Sequence, residues 1–139
     1  MIVLDTNVAS AIMDPIPDKA VVAWLNGQRL DALWLTTITI FEIRLGLEIL
    51  APGRKRQQLE SSFARMLTEG IQGRILQFDL PAAEAAARFA AGRRTRGRPV
   101  EFRDVEIAGI IEARSATLAT RNLRDFDDLE IDVVNPWKP

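Results

Sequence analysis

Five short apolar runs alternate along this chain with longer segments of helical periodicity, and that alternation admits few architectures. The runs are Ile2–Leu4, Leu33–Leu35, Ile75–Phe78, Thr117–Ala119 and Ile131–Val134. Each is bounded by polar or turn residues and is short enough for a strand buried on both faces. Between them lie helical patterns at Val8–Met13, Lys19–Asn26, Ile38–Leu50, Arg54–Thr68, Ala82–Arg96 and Val105–Ala116, with a shorter one at Leu123–Leu129. Connections long enough to hold a crossover helix pair strands in parallel, so the pattern predicts an α/β fold, a parallel sheet with helices on both faces. Ligands in such sheets sit beyond the carboxyl ends of the strands. The breaks at Asp14-Pro15-Ile16-Pro17, Ala51-Pro52-Gly53 and Gly97-Arg98-Pro99 join helical patterns and read as turns. A chain of 139 residues is then one domain spanning 1–139.

Composition narrows the chemistry more than the fold. Cysteine, histidine and tyrosine are all absent. Thiolate nucleophiles, disulfides, Cys-ligated zinc and the usual neutral-pH base are thereby excluded, which leaves Asp, Glu, Lys, Ser, Thr or a metal-bound water to do any chemistry. The lack of cysteine accords with a cytoplasmic location. With 18 basic and 19 acidic residues the net charge is −1, so a nucleic-acid partner must be met by local charge. Met1-Ile2-Val3-Leu4-Asp5 has no basic segment and is not expected to be a secretory signal. The apolar stretch Leu33–Leu50 contains Glu42, Arg44 and Glu48, so it is expected in the core and not in a membrane.

Three acids stand out by position. Helical residues turn by about 100° each, so Asp104 shares a face with Ile107, Ala108 and Ile111, whereas Glu106 and Glu112 point elsewhere. An acid aligned with an apolar stripe must cap the helix, be paired, or ligate something, because a buried unpaired charge costs several kcal/mol. The same test puts Glu42 beside Ile38, Leu45 and Ile49, while Glu48 lies near Arg44 and can form an ordinary exposed pair. Glu42 either reaches water from the edge of the core or belongs to a site. Asp5 closes the first apolar run and either caps the next helix or joins the other two. Asp79, followed by Leu80-Pro81, reads as a helix cap alone. Two basic clusters, Arg54-Lys55-Arg56 and Arg93-Arg94-Thr95-Arg96-Gly97-Arg98, are either solvated helix ends or phosphate contacts.

With these acids placed, the chain resembles the PIN-domain nucleases, and among them the VapC-type toxins of bacterial toxin–antitoxin pairs, the FitB-like branch most of all. The resemblance spans almost the whole chain. It is carried by Leu4-Asp5-Thr6-Asn7, Thr39-Ile40-Phe41-Glu42-Ile43-Arg44-Leu45-Gly46, Arg103-Asp104-Val105-Glu106-Ile107-Ala108, Ala119-Thr120-Arg121-Asn122-Leu123-Arg124-Asp125-Phe126 and Val134-Asn135-Pro136-Trp137. Each motif is weak alone, and their order and spacing make the set specific.

The resemblance implies a three-layer α/β/α sandwich around a four- or five-stranded parallel sheet. It implies a Mg²⁺- or Mn²⁺-dependent endoribonuclease that hydrolyses RNA with a metal-activated water, a homodimer, and a cognate antitoxin whose Arg or Lys pairs with the acids. Asp5, Glu42 and Asp104 carry over as the metal-binding and catalytic acids, with Asp5 and Asp104 as direct ligands and Glu42 acting directly or through water. The family commonly has a fourth acid near Asn122. The amide here brings no charge, which favours one ion over two. Asp125 stands near enough to supply that charge or is an exposed surface acid, and Thr6 and Thr120 are candidate hydroxyl contacts. Arg93, Arg94, Arg96 and Arg98 precede Asp104 closely enough to grip RNA phosphates. Two other classes stay open: a catalytically silent PIN-like module that binds RNA or protein, and a metal-dependent phosphatase using Asp5, against which Asn7 in the second acidic position argues.

Overall fold

A computed structural model describes residues Met1–Pro139. Its strands are β1 (Ile2–Leu4), β2 (Leu33–Thr36), β3 (Ile75–Leu76), β4 (Thr117–Ala119) and β5 (Asp132–Val134), and its helices α1 (Thr6–Met13), α2 (Lys19–Asn26), α3 (Thr37–Ile49), α4 (Arg54–Arg65), α5 (Leu80–Thr95) and α6 (Phe102–Arg114). The strands form one parallel sheet in the order β3-β2-β1-β4-β5. β1 lies at its centre, with Ile2 level with Leu33 on one side and Thr117 on the other.

Two apolar layers cover the sheet. Leu4, Leu33 and Leu35 pack with Val8, Val21, Ile43, Leu47 and Phe63 from α1 to α4. Val3, Leu76 and Leu118 pack on the other face with Ala82, Ile107, Ile110 and Ile111 from α5 and α6. This is the expected three-layer sandwich, with five strands. α5 and α6 pack tightly at Gly109, where an added Cβ would fall 2.3 Å from the Ala82 carbonyl oxygen and 2.9 Å from the Ala86 Cβ.

Three expectations need adjustment. The third apolar run continues to Phe78 in sequence, but β3 is an edge strand bonded only to β2 and ends at Leu76. The segment at Leu123–Leu129 contains a single 3-10 turn, Leu123–Asp125, with Phe126 and Leu129 reaching into the core behind it. On α3, the face bearing Leu45 and Ile49 is not the core face: Ile49 is 74% exposed, while Thr39, Ile43 and Leu47 are buried. This helix is apolar nearly all round, so periodicity does not choose between its faces.

The order of the strands places the site. From β1 the chain crosses to β2 on one side, and from β4 it crosses to β5 on the other. Loops leaving the carboxyl ends of β1 and β4 therefore diverge and open a crevice, the position where open α/β sheets bind ligands. Asp5 directly follows β1, and Thr120 directly follows β4.

Candidate active site

Asp5 is fully buried, and its backbone N–H extends the sheet ladder to the Ala119 carbonyl at 2.9 Å. Its side chain caps α1, with Oδ1 accepting from the Thr6 N–H at 2.8 Å. The cap uses only part of the carboxylate. Oδ2 accepts from the Thr120 hydroxyl at 2.7 Å and from Asn7 Nδ2 at 3.3 Å. Cap and site residue, the two alternatives open in the sequence, are thus combined in one side chain.

Glu42 reaches the same point from α3. Thr36, at the end of β2, caps that helix by accepting from the Thr39 N–H at 3.1 Å, which fixes the helix against the strand end. Glu42 then accepts a 2.7 Å hydrogen bond from the Thr6 hydroxyl. Asp104 arrives from the other layer, in the first turn of α6. It does not cap that helix; the cap position is Glu101, whose backbone takes φ 50° and whose side chain makes no capping bond. Ile107, Ala108 and Ile111 are buried along the Asp104 face, as the periodicity predicted.

One side chain joins all three acids. Arg103 gives its Nε to Glu42, one terminal nitrogen to Asp5, and the other to Asp104 Oδ1 at 3.0 Å. Burial works to lower the Arg103 pKa, but the Asp5 and Glu42 carboxylates overcome it and hold the guanidinium charged. Burial raises the Asp104 pKa; Arg103 opposes the shift, and the nearby Asp125 carboxylate adds to it. One guanidinium against three carboxylates leaves the pocket negative, so it attracts cations. No buried polar side-chain atom lacks a hydrogen-bond partner, so the acids are satisfied with the arginine in place.

Glu42 and Asp104 open onto a polar cleft of about 520 Å³, whose rim includes Asn122, Asp125 and Glu101, while Asp5 is fully buried and does not line it. The auxiliary residues named from sequence are therefore gathered here: Thr6 and Thr120 bond the acids, and Asn122 and Asp125 face the opening. The basic run is used differently. Arg93 is 1% exposed, pairs through Nε and Nη2 with Asp128 at 3.0 Å, and donates to the carbonyls of Val100 and Asp125, so it has no free face for a phosphate. Arg96 bonds Asp128 at 2.9 Å, and Arg98 bonds Asp127 at 2.9 Å and the Arg124 carbonyl at 2.6 Å. Only Arg94 is exposed without a carboxylate partner.

Two contributors were not assigned from sequence. Asn7 ties Asp5 to Thr120 and accepts from the Arg121 N–H at 3.0 Å, joining the two strand ends. Arg103 was visible only as a basic residue beside Asp104, and its reach across to Asp5 and Glu42 has no signature in periodicity.

A family model, the PIN domain, matches residues 2–131. The chain belongs to the PIN domain family. Among PIN relatives it is 36% identical over 139 residues to the VapC ribonuclease Y4jK of Sinorhizobium fredii, covering 100% of this chain and 99% of that one. It is 37% identical over 137 residues to toxin FitB of Neisseria gonorrhoeae, covering 99% of each chain. The crystal structure of FitAcB from Neisseria gonorrhoeae superposes with a TM-score of 0.88 at 37% identity over 99% of both chains. In this PIN fold the acids lie at the carboxyl end of the sheet, one on a strand end and two on helices of opposite layers.

Proposed function

We propose that this PIN domain is a Mg²⁺- or Mn²⁺-dependent endoribonuclease and the toxin of a toxin–antitoxin pair. The observation that carries the reading is the convergence of Asp5, Glu42 and Asp104 on one cationic group at the switch point of the sheet. The relatives named as a ribonuclease and a toxin support it. The donor set fits a hard divalent ion: carboxylate, hydroxyl and amide oxygens, with neither sulfur nor imidazole. Asp5 and Asp104 would hold the ion, with Glu42 binding directly or through a water and Asn122 at the rim. A bound ion supplies Lewis acidity, which acidifies a water and neutralises charge on the phosphate.

The chain's own residues do the rest. Thr6, Asn7 and Thr120 fix the orientation of the Asp5 carboxylate at the strand end. Glu42 is the more exposed of the two outer acids, with 28% of its side chain accessible against 12% for Asp104, so it faces the incoming water and takes its proton. Arg94, with the outer faces of Arg96 and Arg98, meets RNA phosphates on that side of the cleft, giving salt-sensitive binding with little sequence preference.

Beside Glu42 a groove of about 410 Å³ is lined by Met13, Ile43, Leu47, Leu50 and Leu59. It suits an apolar antitoxin segment, whose basic side chain would then reach the acids. The exposed Phe41, Leu45 and Ile49 of α3 give a second copy of the chain an apolar surface to cover.

Incubation of purified protein, free of antitoxin, with structured RNA in Mg²⁺, Mn²⁺ or EDTA tests the proposal. Cleavage is expected with either metal, none in EDTA, and a loss of about a hundredfold or more in Asp5→Ala and Asp104→Ala. Cleavage that persists in EDTA, or in both variants, would overturn it.

A further inference from the structure

The three carboxylates are each held by a different nitrogen of the Arg103 fork, and in these positions no three acidic groups stand close enough together to hold one metal ion. The guanidinium and a divalent ion therefore need the same oxygens. The two basic side chains near Asp104 differ in freedom. Arg93, which approaches Asp104 Oδ2 at 4.0 Å, is locked by Asp128 and backbone carbonyls and is 1% exposed. Arg103 has 29% of its side chain exposed at the cleft, and all its partners except the Thr6 hydroxyl are the acids themselves. It can swing into the cleft without opening the core.

We propose that Arg103 is a resident counter-cation of the acid pocket, holding the fold together when metal is absent and competing with the divalent ion, which enters only as the guanidinium withdraws. This inference rests on the metal-dependent reading above. Physically, the arginine relieves repulsion among clustered carboxylates, so the metal-free protein gains stability and the metal site loses affinity by the same exchange. A guanidinium offers charge and donors but no Lewis acidity, so the arginine-filled pocket is an inactive state.

Electron paramagnetic resonance of free Mn²⁺ measures binding without reference to catalysis. Arg103→Gln is expected to bind Mn²⁺ roughly tenfold more tightly than wild type, with Arg103→Lys between them, because lysine keeps the charge but not the three-way fork. The metal-free Arg103→Gln protein is expected to melt at a lower temperature. Equal or weaker Mn²⁺ binding by Arg103→Gln would overturn the competition and leave the metal site standing, whereas Mn²⁺ binding by neither protein would remove both. A second measurement needs no variant: in the wild type, the Arg103 Nε–H resonance should move to the position of a solvated arginine as Mg²⁺ is added. A resonance unmoved at saturating Mg²⁺ would equally overturn the proposal.

Discussion

Arg93 and Asp128 form a nearly enclosed pair, with 1% and 11% of their side chains exposed, that fastens the end of α5 to the turn after β4. Burial works to raise the Asp128 pKa, but hydrogen bonds from Arg93 and Arg96 outweigh it and bring it down from 3.8 to about 2. A carboxylate depressed on folding stabilises the protein fully above its unfolded pKa, and that stabilisation is lost as pH falls through the folded value. The window here runs from about pH 4 down to about pH 2. Asp128→Asn also strands a buried guanidinium, so it should lower the unfolding free energy at pH 7 by about 3 kcal/mol. Urea denaturation should show the gap to wild type closing below about pH 3; a pH-independent gap would contradict the pairing. At this scale the sequence revealed the acids and hid the arginines. Asp104 is conspicuous because an acid aligned with a buried apolar stripe is expensive; the same argument does not hold for Glu42, because Leu45 and Ile49 beside it are exposed. Arg93 and Arg103 look like ordinary surface residues in one dimension, since their partners lie on other elements.

α6 presents Arg103 and Asp104 to the site, and its placement depends on contact with α5. Gly109 permits that contact. Alanine there would favour the isolated helix by about 1 kcal/mol, yet its Cβ would meet the Ala82 backbone oxygen at 2.3 Å, and backbone cannot give way as a flexible side chain can. Gly109→Ala should therefore destabilise the protein by about 2 kcal/mol, the overlap outweighing the propensity gain. Thermal unfolding read by circular dichroism checks the sign; a stabilised variant would mean the two helices can part freely. The buried face of a helix is legible where an apolar stripe has a polar opposite face, as on α6. On α3 the boundaries are legible to within a residue but the buried face is not, because Phe41, Leu45 and Ile49 repeat as convincingly as the truly buried Thr39, Ile43 and Leu47.

The whole molecule converts strand order into chemistry. Crossing from β1 and from β4 to opposite sides of the sheet opens the crevice, α3 and α6 reach it from opposite layers, and three carboxylates meet there although they are far apart in sequence. The alternation of strand and helix made the parallel sandwich readable at once. The strand order was not readable, because a crossover of given length can turn to either side of a central strand, and only that order brings Asp5 beside Thr120 and below Asp104. The basic run before α6 shows the same limit: its charges suggested phosphate binding, and the fold uses most of them to hold the turn after β4.

On the proposed function, Asp5, Glu42 and Asp104 share one divalent ion. Anomalous diffraction from crystals soaked in Mn²⁺ addresses it most directly. The prediction is a single strong peak within about 2.2 Å of Asp5 and Asp104 carboxylate oxygens, with Arg103 turned out into the cleft, and no such peak in Asp104→Ala crystals. An arginine still seated among the acids at saturating Mn²⁺, with the only anomalous density elsewhere on the surface, would contradict it.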